Sequence, residues 1–316
     1  MPNATPEWVY VLSALGLLLP GFFFLNRFTR LGVVARGTLR ESIRQPVFLF
    51  MLLLAAFLFL LYLFLPFFTL GEDTKVYIDS CLATVLVCSI LLAVWTAAQS
   101  VAEEREGKTV VTLLSKPITR AQFVLGKYLG IVQAVLVQVL LLGLLLLPAV
   151  YYKYGYDQKE GGGGRVEMFT PTDFGGTLSR EVFFLQPQRT EAALSVIAPL
   201  AMVFLETAVM AAVAVTLSTR VPSLVGMIAC FAIFVLGHLG PTLIAAAPEN
   251  VVFLEFVAQL LSTVFPALWA FDTFTAISTG SDIPAVHLGT IALYSLAYIA
   301  ALMFVAFLIF EDEDLA

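Results

Sequence analysis

Seven apolar runs, each close in length to the thickness of a bilayer, recur along the chain and constrain its fold. A helix needs about 20 predominantly apolar residues to cross the hydrocarbon core of a membrane. The runs cover residues 8–25, 47–68, 80–100, 128–151, 193–217, 224–246 and 286–310. The chain is 60% apolar and 13% charged, whereas soluble domains are about 25% charged. The sequence therefore predicts an all-α polytopic membrane protein.

The distribution of Lys and Arg predicts how the runs are oriented. The first run has no basic segment before it and a basic segment after it, so we expect a retained helix with the N-terminus outside. If successive runs cross the membrane in alternating directions, eleven basic residues lie inside, namely Arg27, Arg30, Arg36, Arg40, Arg44, Arg105, Lys108, Lys116, Arg120, Lys127 and Arg220. Six lie outside, namely Lys75, Lys153, Lys159, Arg165, Arg180 and Arg189. Because cytoplasmic loops carry the excess of basic residues, this count favours a cytoplasmic C-terminus.

Residues 27–46 differ from the flanking runs because apolar and basic residues alternate there at helical spacing. The apolar positions are Phe28, Leu31, Val34, Leu39 and Ile43. The basic positions are Arg27, Arg30, Arg36, Arg40 and Arg44. A basic amphipathic helix lies in the headgroup plane instead of crossing the membrane, so we predict a membrane-surface elbow that ends before Pro46. An irregular basic loop is the alternative.

Two segments on the predicted outer side are organised differently. Residues 151–192 form a long loop with four consecutive glycines, which we expect to act as a flexible joint. Within it, residues 165–170 and 180–185 have the composition of short strands. Residues 247–285 carry an apolar stripe and Trp269, which favour a short helix that lies at the outer surface or dips into it.

The tripeptide Gly-Lys-Thr at 107–109 ends like a P-loop, a phosphate-binding motif of many ATPases. The full pattern needs a glycine at position 102, where this chain has Ala102, and it follows a β-strand instead of a membrane-length apolar run. The acidic side chains of Glu103, Glu104 and Glu106 would also repel phosphate groups. We therefore predict that this chain itself binds no ATP and holds no cofactor or metal.

Residues 101–127, the longest predicted inside connection between two runs, have a construction of their own. Thr119 and Gln122 have the spacing of a capping box, in which the two side chains cap the start of a helix. Pro117 breaks any helix that runs into it. We expect a compact bent element held at both ends by spanning helices, so that a push on it would move both helices. A solvated, densely charged linker is the alternative.

The same segment resembles a known family. It contains, in order, acidic residues followed by a threonine, a pair of leucines, a Pro-Ile-Thr-Arg run and a Gly-Lys pair. These fall on Glu104, Glu106, Thr109, Leu113, Leu114, Pro117, Ile118, Thr119, Arg120, Gly126 and Lys127. The pattern resembles the cytoplasmic loop of ABC-2 type permeases, the membrane subunits of ATP-binding-cassette exporters, although Lys108 replaces the usual glycine. Within that family, the chain is most similar to permeases of nitrous-oxide-reductase maturation systems.

The resemblance implies a six-helix permease bundle in the plasma (inner) membrane of a prokaryote. The chain then divides into an extra N-terminal transmembrane helix (1–26), the elbow helix (27–46) and the permease domain (47–316). The permease domain contains the long inside connection, which would act as a coupling element, and the two outer segments described above.

The resemblance also implies partners. ABC-2 permeases work with a separate ATPase subunit, so ATP and Mg²⁺ are expected in a partner chain. Two permeases, either identical copies or paralogues, are expected to pair in the lipid bilayer, and no nucleic acid is expected. The expected contacts to the ATPase are Glu103, Glu104, Arg105, Glu106, Thr109, Pro117, Thr119, Arg120 and Lys127. Closure of the ATPase dimer would shift this element and the flanking spans.

Two ionisable residues, Glu206 and His238, lie inside apolar runs. A carboxylate at bilayer depth costs about 2.5–3.5 kcal/mol on insertion scales, so it faces protein or water. Glu206 either lines a pathway or, when protonated, forms a hydrogen bond to a neighbouring helix, and His238 is either functional or packed. A self-sufficient proton-coupled secondary transporter that uses both residues is the alternative function, although the chain shows no internal repeat. A membrane enzyme is disfavoured because the common catalytic motifs are missing.

Overall fold

The computed structural model describes the chain in seven stretches. These are residues 6–65, 73–103, 119–160, 168–173, 181–246, 264–281 and 283–311. Within the described stretches, seven helices are long and apolar enough to cross a membrane. The predicted class, an all-α polytopic membrane protein, is therefore confirmed.

The described part of the chain consists of spanning helices and of short elements at the two ends of the bundle. The spanning helices are α1 (Glu7–Phe28), α3 (Pro46–Phe64), α4 (Asp73–Ala97), α5 (Arg120–Glu160), α7 (Ile197–Ser218), α8 (Ser223–Ala246) and α10 (Ala285–Glu311). The short elements are α2 (Arg30–Arg44), strands β1 (Phe169–Asp173) and β2 (Glu181–Leu185), α6 (Pro187–Leu194), a 3-10 helix (Leu268–Phe271) and α9 (Phe274–Thr279). We call the end with α2 and the start of α5 the elbow side, and the end with β1 and β2 the hairpin side.

Three helices, α4, α5 and α7, form the centre of the bundle and are buried over most of their length. On α7 the buried residues include Ala208, Ala211 and Ala212, small residues that allow neighbouring backbones to approach closely. In contrast, α1 has no buried residue, and α3, α8 and α10 bury only a narrow face. Large apolar side chains such as Leu53 and Phe57 on α3 remain exposed, as is suitable for helices that face lipid.

The predicted elbow forms helix α2, and local contacts define both of its ends. The hydroxyl oxygen of Thr29 accepts a hydrogen bond from the amide of Gly32 at 3.0 Å, which is a common way to cap a helix start. The helix ends at Arg44, and Pro46 occupies the first turn of α3. Proline fits there because the amide at that position would have no helical acceptor. The chain therefore passes from the elbow into a span with a single sharp turn.

Small residues form the centre of the face that the elbow buries. They are Gly32, Ala35, Thr38 and Ser42. From the predicted apolar stripe, Leu31, Val34 and Leu39 on the same side are half-buried, whereas Phe28, which precedes α2, and Ile43 are exposed. The small residues lie at the centre because α2 lies against another helix, α5, and they bring two helices closer together than Phe or Ile would.

The elbow helix α2 packs against two glycines that lie one turn apart on α5. A Cβ added to Gly126 would lie 2.6 Å from the Cβ of Val34, and one added to Gly130 would lie 2.7 Å from the carbonyl oxygen of Ala35. Real Cβ atoms essentially never approach other heavy atoms so closely. The backbones of α2 and α5 are therefore in close contact, and any side chain at either glycine would push the helices apart.

The hairpin side contains more regular structure than the loop predicted at 151–192. Helix α5 continues to Glu160, and α6 forms before α7. The sequence analysis ended this helix at residue 151, where hydropathy falls. Hydropathy marks the end of the membrane span, whereas backbone hydrogen bonds can continue the helix into water. The predicted strands are present, with Phe169 paired to Leu185, although the first begins four residues later than predicted. The run of glycines lies outside the described residues.

Substitution of Gly130 by alanine has two opposing effects, which are steric overlap between α2 and α5 and the higher helix propensity of alanine. Alanine favours an exposed helix over glycine by about 1 kcal/mol, but at position 130 its Cβ would collide with Thr38 and the Ala35 carbonyl. We expect Gly130→Ala to lower the free energy of unfolding in detergent by about 1–3 kcal/mol, as at other overpacked sites.

The matched control is Gly37→Ala on the exposed face of the same elbow, where an added Cβ has no atom within 4 Å. This control should be neutral or stabilising in the same thermal unfolding assay. Equal effects of the two substitutions would contradict the close contact between the helices.

Candidate functional site

The start of α5 has the capping box that the sequence predicts. The amide of Gln122 donates a hydrogen bond to Oγ1 of Thr119, and the amide of Thr119 donates to Oε1 of Gln122, both at 3.3 Å. The reciprocal pair satisfies amides that would otherwise lack an acceptor at a helix start. Thr119 is exposed and Arg120 is half-buried, so this helix start is open to contact by another protein.

The other end of the predicted coupling element is attached to α4. There α4 continues into a π-helix, Ala98–Glu103, which contacts α5, α7 and α8. A π-helix is rare and is frequently found at functional sites. The remaining predicted contacts, Glu104, Arg105, Glu106, Thr109 and Pro117, lie outside the described residues. A displacement of this element would thus reach α4 at one end and α5 at the other.

Lys127, also predicted to contact an ATPase, lies inside the interface between α2 and α5. Its side chain is only 6% exposed, and its ammonium nitrogen is 3.9 Å from a carboxylate oxygen of Glu41 on α2. The ammonium also lies over the ring of Phe123, 5.7 Å from the centroid. The elbow therefore covers this side chain, and the contact of Lys127 with an ATPase stays a prediction.

The elbow arginines lie on the side of α2 that faces away from α5. Arg27, Arg30, Arg40 and Arg44 are exposed, and Arg36 is half-buried. The elbow therefore presents small residues to the protein and a cationic face to its surroundings. Near an anionic leaflet each arginine would contribute about 1 kcal/mol to membrane binding, so the membrane-surface role stays a prediction with a suitable geometry.

A pair of amide side chains attaches α1 to the same part of α5. The side-chain nitrogen of Asn26 donates to the Gln133 oxygen at 2.8 Å, and the Gln133 nitrogen donates to the Asn26 oxygen at 3.4 Å. Each amide satisfies the other, which matters because an unpaired polar group away from water is costly. The sequence analysis missed this pair, although an asparagine at the end of an apolar run was an available signal.

The two ionisable residues inside the spans lie together. Nε2 of His238 on α8 is 3.4 Å from Oε1 of Glu206 on α7. Nδ1 of His238 lies 3.1 Å from the carbonyl oxygen of Phe234. A carbonyl can only accept a hydrogen bond, so this contact favours the tautomer with a proton on Nδ1 and leaves Nε2 facing Glu206.

This geometry allows one proton to be shared between the two side chains. Nε2 either accepts a hydrogen bond from a protonated Glu206 or, when it is itself protonated, donates to the carboxylate. At 3.4 Å the groups are slightly too far apart for a good hydrogen bond. Glu206 is 4% exposed and His238 is 34% exposed, so the imidazole separates the buried carboxylate from the exterior of the chain. Both readings of Glu206, a pathway residue and an interhelix contact, are compatible with this arrangement.

Two further acidic residues lie towards the hairpin side, namely Asp272, which follows the 3-10 helix, and Asp79 in α4. The 3-10 helix is positioned by Gly237 on α8, where an added Cβ would lie 2.7 Å from the Pro266 carbonyl oxygen. No group of three His, Cys, Asp or Glu residues in the described part of the chain is placed to hold a metal ion.

Comparison with protein families identifies the class of this membrane protein. A sequence model of the family described as ABC-2 family transporter protein matches residues 33–315. The chain belongs to this family. No curated protein matches the chain. The family match confirms the resemblance to ABC-2 permeases and makes the chain a membrane component of an ABC transporter, a class that acts with an ATP-binding subunit. Helix α1 lies outside the matched residues.

Several contacts that hold this ABC-2 permease together were not anticipated from its sequence. Gly126 was noted only as part of the family-like pattern, although its spacing from Gly130 is the G-x-x-x-G of close helix pairs. Lys153 and Arg189 were counted as charges of an outer loop, but both are buried. No local sequence signal marks these two as buried, because their burial depends on elements that are distant along the chain.

A double-mutant cycle would measure the coupling between Glu206 and His238 in the ABC-2 permease. His238→Ala should lower the free energy of unfolding, because the buried carboxylate loses its neighbour, and it should cost less in a Glu206→Gln background. We expect an interaction energy of about 0.5–3 kcal/mol, the usual range for residues in contact.

His287→Ala is the matched control for this cycle, since His287 is exposed near the start of α10. The change that His287→Ala causes in the free energy of unfolding should be the same with Glu206 and with Glu206→Gln. Additive behaviour of the Glu206 and His238 substitutions would show that their proximity contributes no stability.

Proposed function

We propose that this ABC-2 permease is the membrane subunit of an exporter and that residues 101–127 receive a separate ATPase subunit. The observation that carries the proposal is the capped start of α5, where Thr119 and Gln122 fix the helix end beside an exposed surface. The other end of the same segment continues from α4. A partner that displaces the segment would act directly on two of the three central helices.

The charged residues of the segment supply the polar contacts in this proposal. They are Glu103, Glu104, Arg105, Glu106 and Arg120, with Thr109, Pro117 and Thr119 shaping the backbone between them. ATP and Mg²⁺ bind in the partner. When the ATPase subunits close on ATP, the segment shifts, and α5 shifts with it. The elbow follows, because α2 is in close contact with Gly126 and Gly130.

The proposal includes an orientation and an assembly. The elbow side faces the cytoplasm of a prokaryotic cell, the N-terminus lies outside and the C-terminus is cytoplasmic. The exposed elbow arginines support this orientation, because basic residues accumulate on the cytoplasmic side of inner-membrane proteins. Two permease chains, either copies or paralogues, pair around a shared pathway, and the exposed apolar faces of α3, α8 and α10 offer the necessary surface.

We also propose a place among permeases of nitrous-oxide-reductase maturation systems, the branch of the family that the sequence resembles most. It would make the chain part of a maturation system, with transport directed outwards.

A self-sufficient proton-coupled transporter is the second candidate, because the structure brings Glu206 and His238 together. Membership of the ABC-2 family favours the first candidate. The two candidates differ in one observable property, since only the first requires an ATPase subunit that co-purifies with the permease in detergent.

Paired charge substitutions in the coupling segment test the contact with the ATPase. Glu104→Ala combined with Arg120→Ala should reduce both co-purification of the ATPase and its ATP turnover, because two polar contacts of a short connector are lost. A combined loss of about 1.4 kcal/mol would weaken the complex tenfold.

The matched control removes one acidic and one basic residue on the hairpin side, Lys75→Ala with Glu191→Ala. It should leave the amount of bound ATPase unchanged. If the coupling-segment pair also leaves binding and turnover unchanged, residues 101–127 do not receive the ATPase.

Cysteine labelling in intact cells tests the proposed orientation. Arg220 in the turn between α7 and α8 and Thr279 at the end of α9 are exposed on opposite sides, and the native Cys81, Cys88 and Cys230 are buried. A membrane-impermeant thiol reagent should react with a cysteine at position 279 in intact cells, and with one at position 220 only after permeabilisation. Reaction at position 220 in intact cells would reverse the topology and exclude a cytoplasmic coupling segment.

A further inference from the structure

Helix α5 is much longer than a membrane span. It contains 41 residues, which at 1.5 Å per residue give a length of about 60 Å, whereas the hydrocarbon core is about 30 Å thick. Its first turns are enclosed by the elbow, and its last turns extend beyond the span towards β1 and β2. One continuous helix thus joins the coupling segment to the opposite side of the membrane.

On one face of its far end, α5 is held by α6. The guanidinium group of Arg189 on α6 occupies the space that a side chain at position 155 would fill, since an added Cβ on Gly155 would overlap it. The same guanidinium lies over the ring of Tyr151, 5.6 Å from the centroid. Arg189 is 4% exposed, which is unusual for arginine. The contact is therefore a built interface in which a glycine makes room for a buried cation.

Tyr151 extends this interface to the hairpin. Its hydroxyl group donates a hydrogen bond to the carbonyl oxygen of Met168, just before β1, and accepts one from the amide of Gln186, just after β2, at 3.3 Å. Both ends of the hairpin are thus joined to a single side chain of α5. We refer to β1, β2 and α6 together as the hairpin unit.

On the opposite face, the end of α5 is held by α4. The ammonium nitrogen of Lys153 lies 3.2 Å from Oδ1 of Asp157 one turn later, and the hydroxyl group of Thr74 donates a hydrogen bond to the other carboxylate oxygen. Lys153 is 2% exposed, so this ion pair within α5 is shielded from water, and the hydrogen bond from Thr74 is the contact that joins it to α4. The far end of α5 is therefore fixed from two sides and cannot move without its neighbours.

From these contacts we infer that α5 transmits movement of the coupling segment across the membrane to the hairpin unit, and that Arg189 is the positioning residue for this transmission. The inference rests on the proposed function, because it takes the ATPase as the source of the movement. The hairpin unit then changes position on the outer side when ATP binds on the inner side. By thermodynamic linkage, a ligand that holds the hairpin unit in one position changes the affinity of the complex for ATP.

Pro148 offers a competing explanation, since a proline inside a helix removes one hydrogen bond and can act as a bend. Helix α5 is continuous through this position. If α5 moves as one body, Pro148→Ala restores the missing hydrogen bond and preserves transmission. If α5 instead bends at Pro148 to separate its two ends, the same substitution abolishes the movement of the hairpin unit.

Spin labels on the complete complex with its co-purified ATPase, in lipid nanodiscs, test this inference. One label replaces Leu185 at the end of β2 and the other replaces Val286 near the hairpin-side start of α10, and both positions are exposed. Their distance distribution is measured without nucleotide and with ATP trapped by vanadate. We expect a nucleotide-dependent shift in the wild-type complex. The shift should be lost in Arg189→Ala while ATP turnover continues.

Two further variants separate transmission from simple loss of structure. Gly155→Ala favours the helix yet displaces the guanidinium of Arg189, so it should also abolish the shift. Lys75→Ala removes a hydrogen bond between α4 and the Ser278 carbonyl oxygen that does not involve α5, so it should preserve the shift. A shift that persists in both Arg189→Ala and Gly155→Ala, or that disappears in Pro148→Ala, overturns the inference.

The wild-type measurement distinguishes this inference from the proposed function. A complex that binds ATPase and turns over ATP without any shift between positions 185 and 286 contradicts transmission through α5 and leaves the proposed function standing. Failure of any ATPase to co-purify with the permease contradicts the proposed function itself.

Discussion

The close contact between α2 and α5 depends on the absence of two side chains, at Gly126 and Gly130. Lipid tails are as apolar as leucine, so helices in a membrane associate through tight packing and polar contacts instead of through the hydrophobic effect. The rest of the elbow side follows from this contact. Lys127 is buried because the elbow covers it, and the arginines face outwards because the opposite face of α2 is occupied. The start of α5, just after the capping box at Thr119, is thereby held against the elbow.

Polar contacts accompany close packing nearer the hairpin side. Gly155 makes room for Arg189 on α6, and Asp157 accepts a hydrogen bond from Thr74 on α4. Where water is scarce, separating such groups would leave a charge or a polar atom without a partner, which costs several kcal/mol per ion in effective terms. The elbow side combines the same two means, because an amide pair joins α1 to α5 beside the two glycines that contact α2. Both ends of α5 are therefore held by close packing at a glycine and by polar partners on neighbouring helices.

The features that the sequence predicted correctly are those determined by nearby residues. Run length defines the spans, and the capping box at Thr119 requires only a residue three positions later. The small residues of the elbow that contact α5 were not singled out, because Gly126 and Gly130, which select them, are distant along the chain. The contact of Glu206 with His238 likewise depends on how two helices are placed. The extension of α5 beyond residue 151 was missed because hydropathy reports where the membrane ends and does not report where a helix ends.

Helix α1 is joined to the rest of this ABC-2 permease mainly at the elbow side. None of its residues is buried, although Phe22 packs against the core and α1 contacts α2 and α7. At the elbow side, Asn26 and Gln133 satisfy each other and Thr29 caps the next helix. A helix attached in this way must follow α2 and α5 whenever they move. The family match begins within α2, so the matched residues begin beside the contact on which the elbow depends.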